Sequence, residues 1–281
     1  MGWHGHLQLH YTRADTPQGP RTIAHDRHHG PLRVLQRLYP EGDAICHHVL
    51  VHPPGGIVGG DVLEIEARIG AGSHALITTP GATRYYRSAG PAAVQQLQAR
   101  VEDGARLEWL PLETIAYDAC AAENRLRFDL APDAEMFGWD LLALGLPAAG
   151  LPWQRGSYLQ RLELPGVWLE QARIDASDTL LLDSPLGWDG QRVLGTFWFA
   201  AGRAIERQRR EALIEQARTL IDADALVGAR AGVSCAHDEV IVLRALASRV
   251  EPLMALFGRI RAAWRQTAWG LAACPPRIWR T

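Results

Sequence analysis

A mainly β fold in one domain, residues 1–281, is what the sequence predicts, its strands stacked in solenoid-like coils with a small helical part near the C-terminus. Three observations predict it. Between residues 60 and 145, apolar and polar residues alternate with a period of two in run after run. The turns that close those runs resemble one another, around Gly72, Gly104 and Asp133, 32 and 29 positions apart. Helical periodicity appears only after residue 203.

Along the chain, HPPGGIVGGD at 52–61 comes first among the clear signals. Prolines fix φ and glycines permit positive φ, so the block predicts two tight turns around Ile57-Val58 that deliver Asp61 to the start of a strand. In that strand Leu63, Ile65, Ala67 and Ile69 share one face, and Glu64, Glu66 and Arg68 the other. The alternation returns in Ala93, Gln95, Leu97, Ala99 and Val101, and in Leu126, Phe128 and Leu130. IGAGSHALITTP, VEDGARLEWLP and LAPDAEMFGWD each close one strand, turn on small or acidic residues and open another. A repeat of about 30 residues with short strands suits coils that cover each other's apolar faces, although an antiparallel meander also turns every ten to fifteen residues or so. The strands continue through LPGVWLEQARID at 164–175 and the aromatic run 186–198, which makes 1–200 β-rich.

Residues 203–222 carry Leu213, Ala217, Leu220 and Ile221 at helical spacing. A hairpin follows, with strands near 228–234 and 239–246. The last helix, 249–269, opens on Ser248 and Glu251 in capping-box spacing, and its stripe runs Val250, Leu253, Met254, Phe257, Ile260, Trp264, Ala268. Trp269 falls off the stripe and the tail adds Trp279. Trp264, Trp269 and Trp279 are thus candidates for a partner-docking surface, with packing of the tail on its own domain as the other reading; deleting 248–281 would separate the two if the β portion stays folded.

Composition narrows the function. A formal charge of −2 and the lack of any basic block disfavour nucleic acid and anionic membranes as partners. All 29 cations are arginine, spread evenly. No stretch reaches the roughly 18 apolar residues of a membrane span and the start lacks a signal-peptide pattern, so a cytoplasmic protein is expected. The cysteines at 46, 120, 235 and 274 form no CxxC pair and are expected to be free thiols.

Few chemistries find their residues. HPPGGIVGGD ends on Asp61 in a chain without lysine, which rules out a phosphate-binding loop. No GxSxG elbow marks a nucleophile. His4 and His6 share a face about 6.8 Å apart and suit one metal if a third ligand arrives from elsewhere. No recognisable spacing supplies that ligand, and no stable metal site is expected.

The blocks HPPGGIVGGD and ALITTPGATRYYRS, followed by LEWLPLETI, resemble the UreD family (also called UreH) of urease accessory proteins, and RVLQRLYPEGD at 33–43 and DLLALGLPAAG at 140–150 extend the likeness. The resemblance implies a β-helix-like fold and a non-enzymatic assembly factor. Its implied partners are the urease apoprotein, UreF and the GTPase UreG, with Ni²⁺ as transient cargo and no tightly bound cofactor. Asp61, Glu64, Asp140 and Glu170 match the family's polar interior residues and Thr83 its TTPGAT block, so these are the expected metal-path residues; each could instead serve a turn or strand end. Glycines 55, 56, 59, 60 and 81 are read as turn geometry. Leu144-Gly145-Leu146 and Arg84 depart from the family's usual residues. The rival expectation, from another class, is a β-fold metal-dependent hydrolase using His4 and His6.

Overall fold

The computed structural model describes residues 2–146 and 149–280. The chain opens on a long antiparallel ribbon, β1 (His4–Thr16) and β2 (Gly19–His29), followed by β3 (Arg33–Val34) and β4 (Ile45–Val51). Three coils then repeat one path: β5 (Val62–Ile69), β6 (His74–Thr78) and β7 (Thr83–Tyr85); β8 (Ala93–Val101), β9 (Arg106–Trp109) and β10 (Thr114–Ala116); β11 (Cys120–Leu130) and the long β12 (Glu135–Leu144). β13 (Gly156–Leu164), β14 (Trp168–Asp175), the short α1 (Thr179–Asp183) and β15 (Val193–Ala201) lead to the helical part. That part holds α2 (Arg207–Asp222), the hairpin β16 (Ala231–His237) and β17 (Val240–Ala247), and α3 (Val250–Trp269).

The stacked reading holds and the meander does not. β1, β5, β8, β11 and β13 pair in parallel, with antiparallel β2 and β14 closing the two sides of a seven-stranded sheet. In the second sheet β4, β6, β9 and β12 are parallel, and β15, β17 and β16 extend it antiparallel. The look-alike turns lie on top of one another: Gly72 N–H donates to Asp103 O at 3.0 Å, Glu102 N–H to Ile69 O at 2.9 Å and Ala131 N–H to Val101 O at 2.8 Å. Gly72 and Gly104 share φ of +67° and +66°, a conformation that costs glycine nothing and other residues about 1–2 kcal/mol.

Two apolar clusters share the second sheet. One fills the coil interior with Leu63, Leu97, Leu126, Phe128, Met136 and Leu162. The other lies between the sheet's outer face and the helices, where Phe137, Trp139, Phe197 and Phe199 meet Leu213, Phe257 and Trp264. β12 is therefore apolar on both faces, and its sequence loses the alternation seen elsewhere.

Both helices begin differently from the sequence expectation. α2 starts at Arg207 because the Glu206 carboxylate accepts from Gln208 N–H at 2.9 Å and Arg209 N–H at 2.8 Å. The Ser248–Glu251 box does not form: Arg249 is the N-cap and makes no side-chain capping bond, and Pro252, in the first turn, has no N–H to satisfy. No helix among the described residues is long and apolar enough to cross a membrane, and the four cysteines are free thiols.

Candidate functional site

One rung of the coil interior is polar. Register aligns Gln95 of β8 with Asn124 of β11, and Asn124 with Gln160 of β13. All three point inward, on the same face as Leu97, Leu126 and Leu162 two positions further on. Across the interior, Asp140 of β12 meets them: Asn124 Nδ2 donates to one carboxylate oxygen at 3.1 Å and Gln160 Nε2 to the other at 2.6 Å. Gln95 Nε2 donates to Asn124 Oδ1 at 3.3 Å. Because successive strands stack along the coil axis, this rung is a seam that runs along the axis rather than across it.

Asp140 is 4% exposed. Burial, then the nearby charge of Glu170, pushes its carboxyl up to about 7, against the pull of the two amides. A carboxyl so poised gives up or takes a proton near neutral pH. Tyr85 and Tyr158, buried beside it, are raised well above the usual phenol value, first by burial and then by the Asp140 charge.

The far end of the seam reaches the surface. Thr196 of β15 is the register partner of Asp140 on one side and of Arg244 of β17 on the other. Its hydroxyl donates to Glu170 Oε1 at 3.4 Å, and Arg244 Nε donates to Glu170 Oε2 at 2.8 Å. The Glu170 side chain is 18% exposed and that of Arg244 47%. At the near end, Gln95 also lines a cavity of about 240 Å³ between the HPPGG and TTPGAT blocks, and Thr83 stands in its wall.

Of the expected path residues, the structure brings together Asp140 and Glu170, and sets Thr83 at the cavity. It does not bring in the other two. Asp61 is a turn lock, its carboxylate accepting from Trp3 N–H at 2.7 Å and Val58 N–H at 3.1 Å. Glu64 corrects the expectation outright: with Leu63 and Ile65 inward it faces outward, meeting His4 Nε2 and Gln96 Nε2, each at 2.5 Å. His6 in turn faces Glu66 at 3.2 Å, and no group of three or more His, Cys, Asp or Glu among the described residues is placed to hold a metal ion. Of the glycines, Gly55 and Gly60 have φ of +80° and +92°, and Gly56 and Gly59 leave room for the Tyr86 ring and Ser88. Gly81 departs from the turn-geometry reading, since its φ is ordinary and a Cβ there meets nothing within 4 Å. In the 140–150 block, Pro147 and Ala148 lie outside the described residues.

The indoles expected at a docking surface are spent on the fold. Trp264 is fully buried and donates to Leu213 O at 2.7 Å; Trp269 is 8% exposed and donates to Glu135 Oε2 at 2.6 Å. Trp279, half-buried, packs on Trp139 and donates to Thr78 Oγ1 at 2.8 Å. The tail packs on its own chain, and deleting 248–281 would strip the cover from Phe137, Trp139 and Phe197 instead of leaving the β portion intact.

Sequence reasoning missed a second polar assembly. Glu108 of β9, fully buried, is gripped by Arg261 at 2.6 Å and Arg265 at 3.0 Å from α3 and by His74 at 3.1 Å. Arg265 continues to Glu41 at 2.7 Å, which also holds His47 at 2.8 Å. It pins the last helix onto the solenoid.

These features define a class: a helix-capped β-solenoid with a hydrogen-bonded polar seam inside and a cavity at one end. A family model described as UreD urease accessory protein matches residues 4–280. Proteins named urease accessory protein UreD are similar over the whole length: one from Leptothrix cholodnii is 72% identical over 281 residues, covering 100% of both chains. Another, from Variovorax paradoxus, is 55% identical over 281 residues, again covering 100% of both, and one from a Polaromonas species 55% over 279 residues, 99% of each. The chain belongs to the UreD family of urease accessory proteins.

Proposed function

We propose that the chain is a non-catalytic scaffold of urease maturation that joins the urease apoprotein to UreF and UreG and lets Ni²⁺ pass along its interior seam. The observation that carries this reading is the row Gln95–Asn124–Asp140–Gln160, continued by Thr196 and Glu170, inside a coil lined mainly by apolar side chains. Buried polar groups cost stability unless matched, and this row gives the solenoid no packing it could not draw from leucines. Its oxygens suit a partly hydrated divalent cation held loosely enough to leave. A cation arriving at Asp140 takes the place of the proton there, and the amides of Asn124 and Gln160 keep the carboxylate aimed at the seam. Glu170, held by Arg244, is the next acid toward the surface.

The test is Asn124→Leu with Gln160→Leu, which closes the seam with side chains of similar size. The variant is co-expressed with urease apoprotein, the other accessory proteins and nickel. The expected result is an intact co-purifying complex with urease nickel content and activity down at least about tenfold. Full nickel loading through the sealed seam would overturn the path, and loss of the complex would move the role of these residues to assembly.

A further inference from the structure

We propose that the outer face of the seven-stranded sheet is a docking groove for an acidic segment of a partner protein. A groove of about 980 Å³ runs over β2, β1, β5, β8 and β11. Five arginines line it, Arg27, Arg37, Arg68, Arg100 and Arg127, against three acids, Asp26, Glu66 and Asp129. The groove is cationic on a chain whose formal charge is −2. Register sets out the pattern. One outward row reads His25–His10–Arg68–Arg100 across β2, β1, β5 and β8. Each step is about 4.8 Å, and like charges directly opposite one another destabilise a sheet. The coil does not require such a row: two residues away, Arg27–Gln8–Glu66–Gln98–Arg127 keeps its charges apart with neutral amides.

The groove's own acids are already engaged. Asp26 meets Arg37 at 3.1 Å and Asp129 meets Arg127 at 2.9 Å, while Glu66 meets His6 at 3.2 Å and Gln8 at 3.0 Å. Arg68 is held from outside the groove by Glu102 at 2.6 Å. Arg27, Arg100 and His25 remain, exposed and without a hydrogen bond or ion pair among the described residues. Charge complementarity then chooses the occupant. Guanidinium forks match carboxylates. A uniform polyanion such as a nucleic acid would set phosphates against Glu66 and Asp129 as well as against the arginines. A peptide can place its acids opposite Arg27 and Arg100 and pass the groove's carboxylates with neutral residues, so the mixed lining selects a peptide. This inference stands apart from the cation path, and no nickel enters its test.

The probe is a capped peptide of four Glu-Ser repeats, titrated at low ionic strength into the full chain labelled with ¹⁵N at its backbone amides. The expected result is that shifts gather on β1, β2, β5 and β8, and that the matching Gln-Ser peptide, which has no charge, produces none. Arg27→Gln and Arg100→Gln should each weaken the acidic peptide about threefold, the worth of one exposed ion pair, and together about tenfold, since roughly 14 Å of sheet separates the two. Glu66→Gln should tighten it about twofold, an opposite sign that a merely structural role would not give. Equal binding of the two peptides, or variants that all bind alike, overturns the groove. Tighter binding of a thymidine pentanucleotide, which carries as many phosphates as the peptide carries carboxylates, overturns the peptide occupant. The same variants are then assayed for affinity toward urease apoprotein and each of the other accessory proteins. One of these affinities should fall about tenfold in the double arginine variant and rise in Glu66→Gln. If the acidic peptide binds but none of these affinities moves, the docking role is overturned.

Discussion

Asp140→Asn separates the buried carboxyl from everything around it with almost no change in shape. In the folded chain this carboxyl titrates at about 7 against an ordinary 3.8. At ~1.4 kcal/mol per pKa unit, ionising it inside the solenoid costs about 4 kcal/mol. The sign follows from the raised value: the folded chain holds the proton more tightly than the unfolded one. The carboxyl's contribution is fully present below the unfolded pKa and is lost as pH rises through about 7. Asparagine does not titrate, so any offset from its altered hydrogen bonds is the same at every pH. Relative to the wild type, the variant should gain about 4 kcal/mol between pH 4 and pH 8. At ~2–4 °C per kcal/mol for a large domain, this is a relative rise in melting temperature of roughly 8–15 °C. Far-UV circular dichroism melts of both proteins across that range measure it. Melting curves that move in parallel with pH would refute the reasoning, because they would mean that Asp140 titrates alike in the folded and unfolded chain.

Three further outcomes are expected. Glu108→Gln leaves Arg261 buried without its counter-charge and Arg265 with Glu41 alone, and should cost about 3–5 kcal/mol, read as a lower melting temperature at neutral pH. Since those charges hold the Glu108 carboxyl well below the usual range, its stabilisation is present above the unfolded pKa and fades in acid, so the gap between variant and wild type should close as pH falls. Ala119→Gly relieves a φ of +60° at a non-glycine and should raise stability by about 0.5 kcal/mol after the entropy lost to glycine, as measured by urea unfolding. Glu170→Gln loosens Arg244 without touching the Asn124–Asp140–Gln160 bonds, and should lower the nickel content of co-expressed urease while the protein still melts within a few degrees of wild type.

Much of the solenoid is legible in the chain because each coil repeats local instructions. Turn residues recur at Gly72, Gly104 and Asp133, and alternation says which residues face in. The same alternation contained the seam. Gln95 sits between Ala93 and Leu97 on the inward face, and Asn124 and Gln160 stand two positions before inward leucines. It also placed Glu64 outside, against the family resemblance that grouped it with Asp61 among the interior acids. Asp140 was harder to place, since β12 is apolar on both sides and has no alternation to read. The Glu108 assembly was illegible for a different reason: its partners lie 153 and 157 residues away, and arginines on a helix ordinarily belong to a solvated face. Only the way α3 lies across the second sheet brings them to that acid.

The two antiparallel borders of the seven-stranded sheet have one more consequence. A stack of like coils is in principle an open polymer: the last parallel strand of one molecule could template the first of the next. Here β2 folds back over β1, carrying Pro20 and a run of arginine and histidine, and β14 folds back over β13. Each border runs the wrong way for the coil to continue, and one carries charge along its length. Neither border of this sheet therefore offers a like coil of another copy a parallel edge on which to continue.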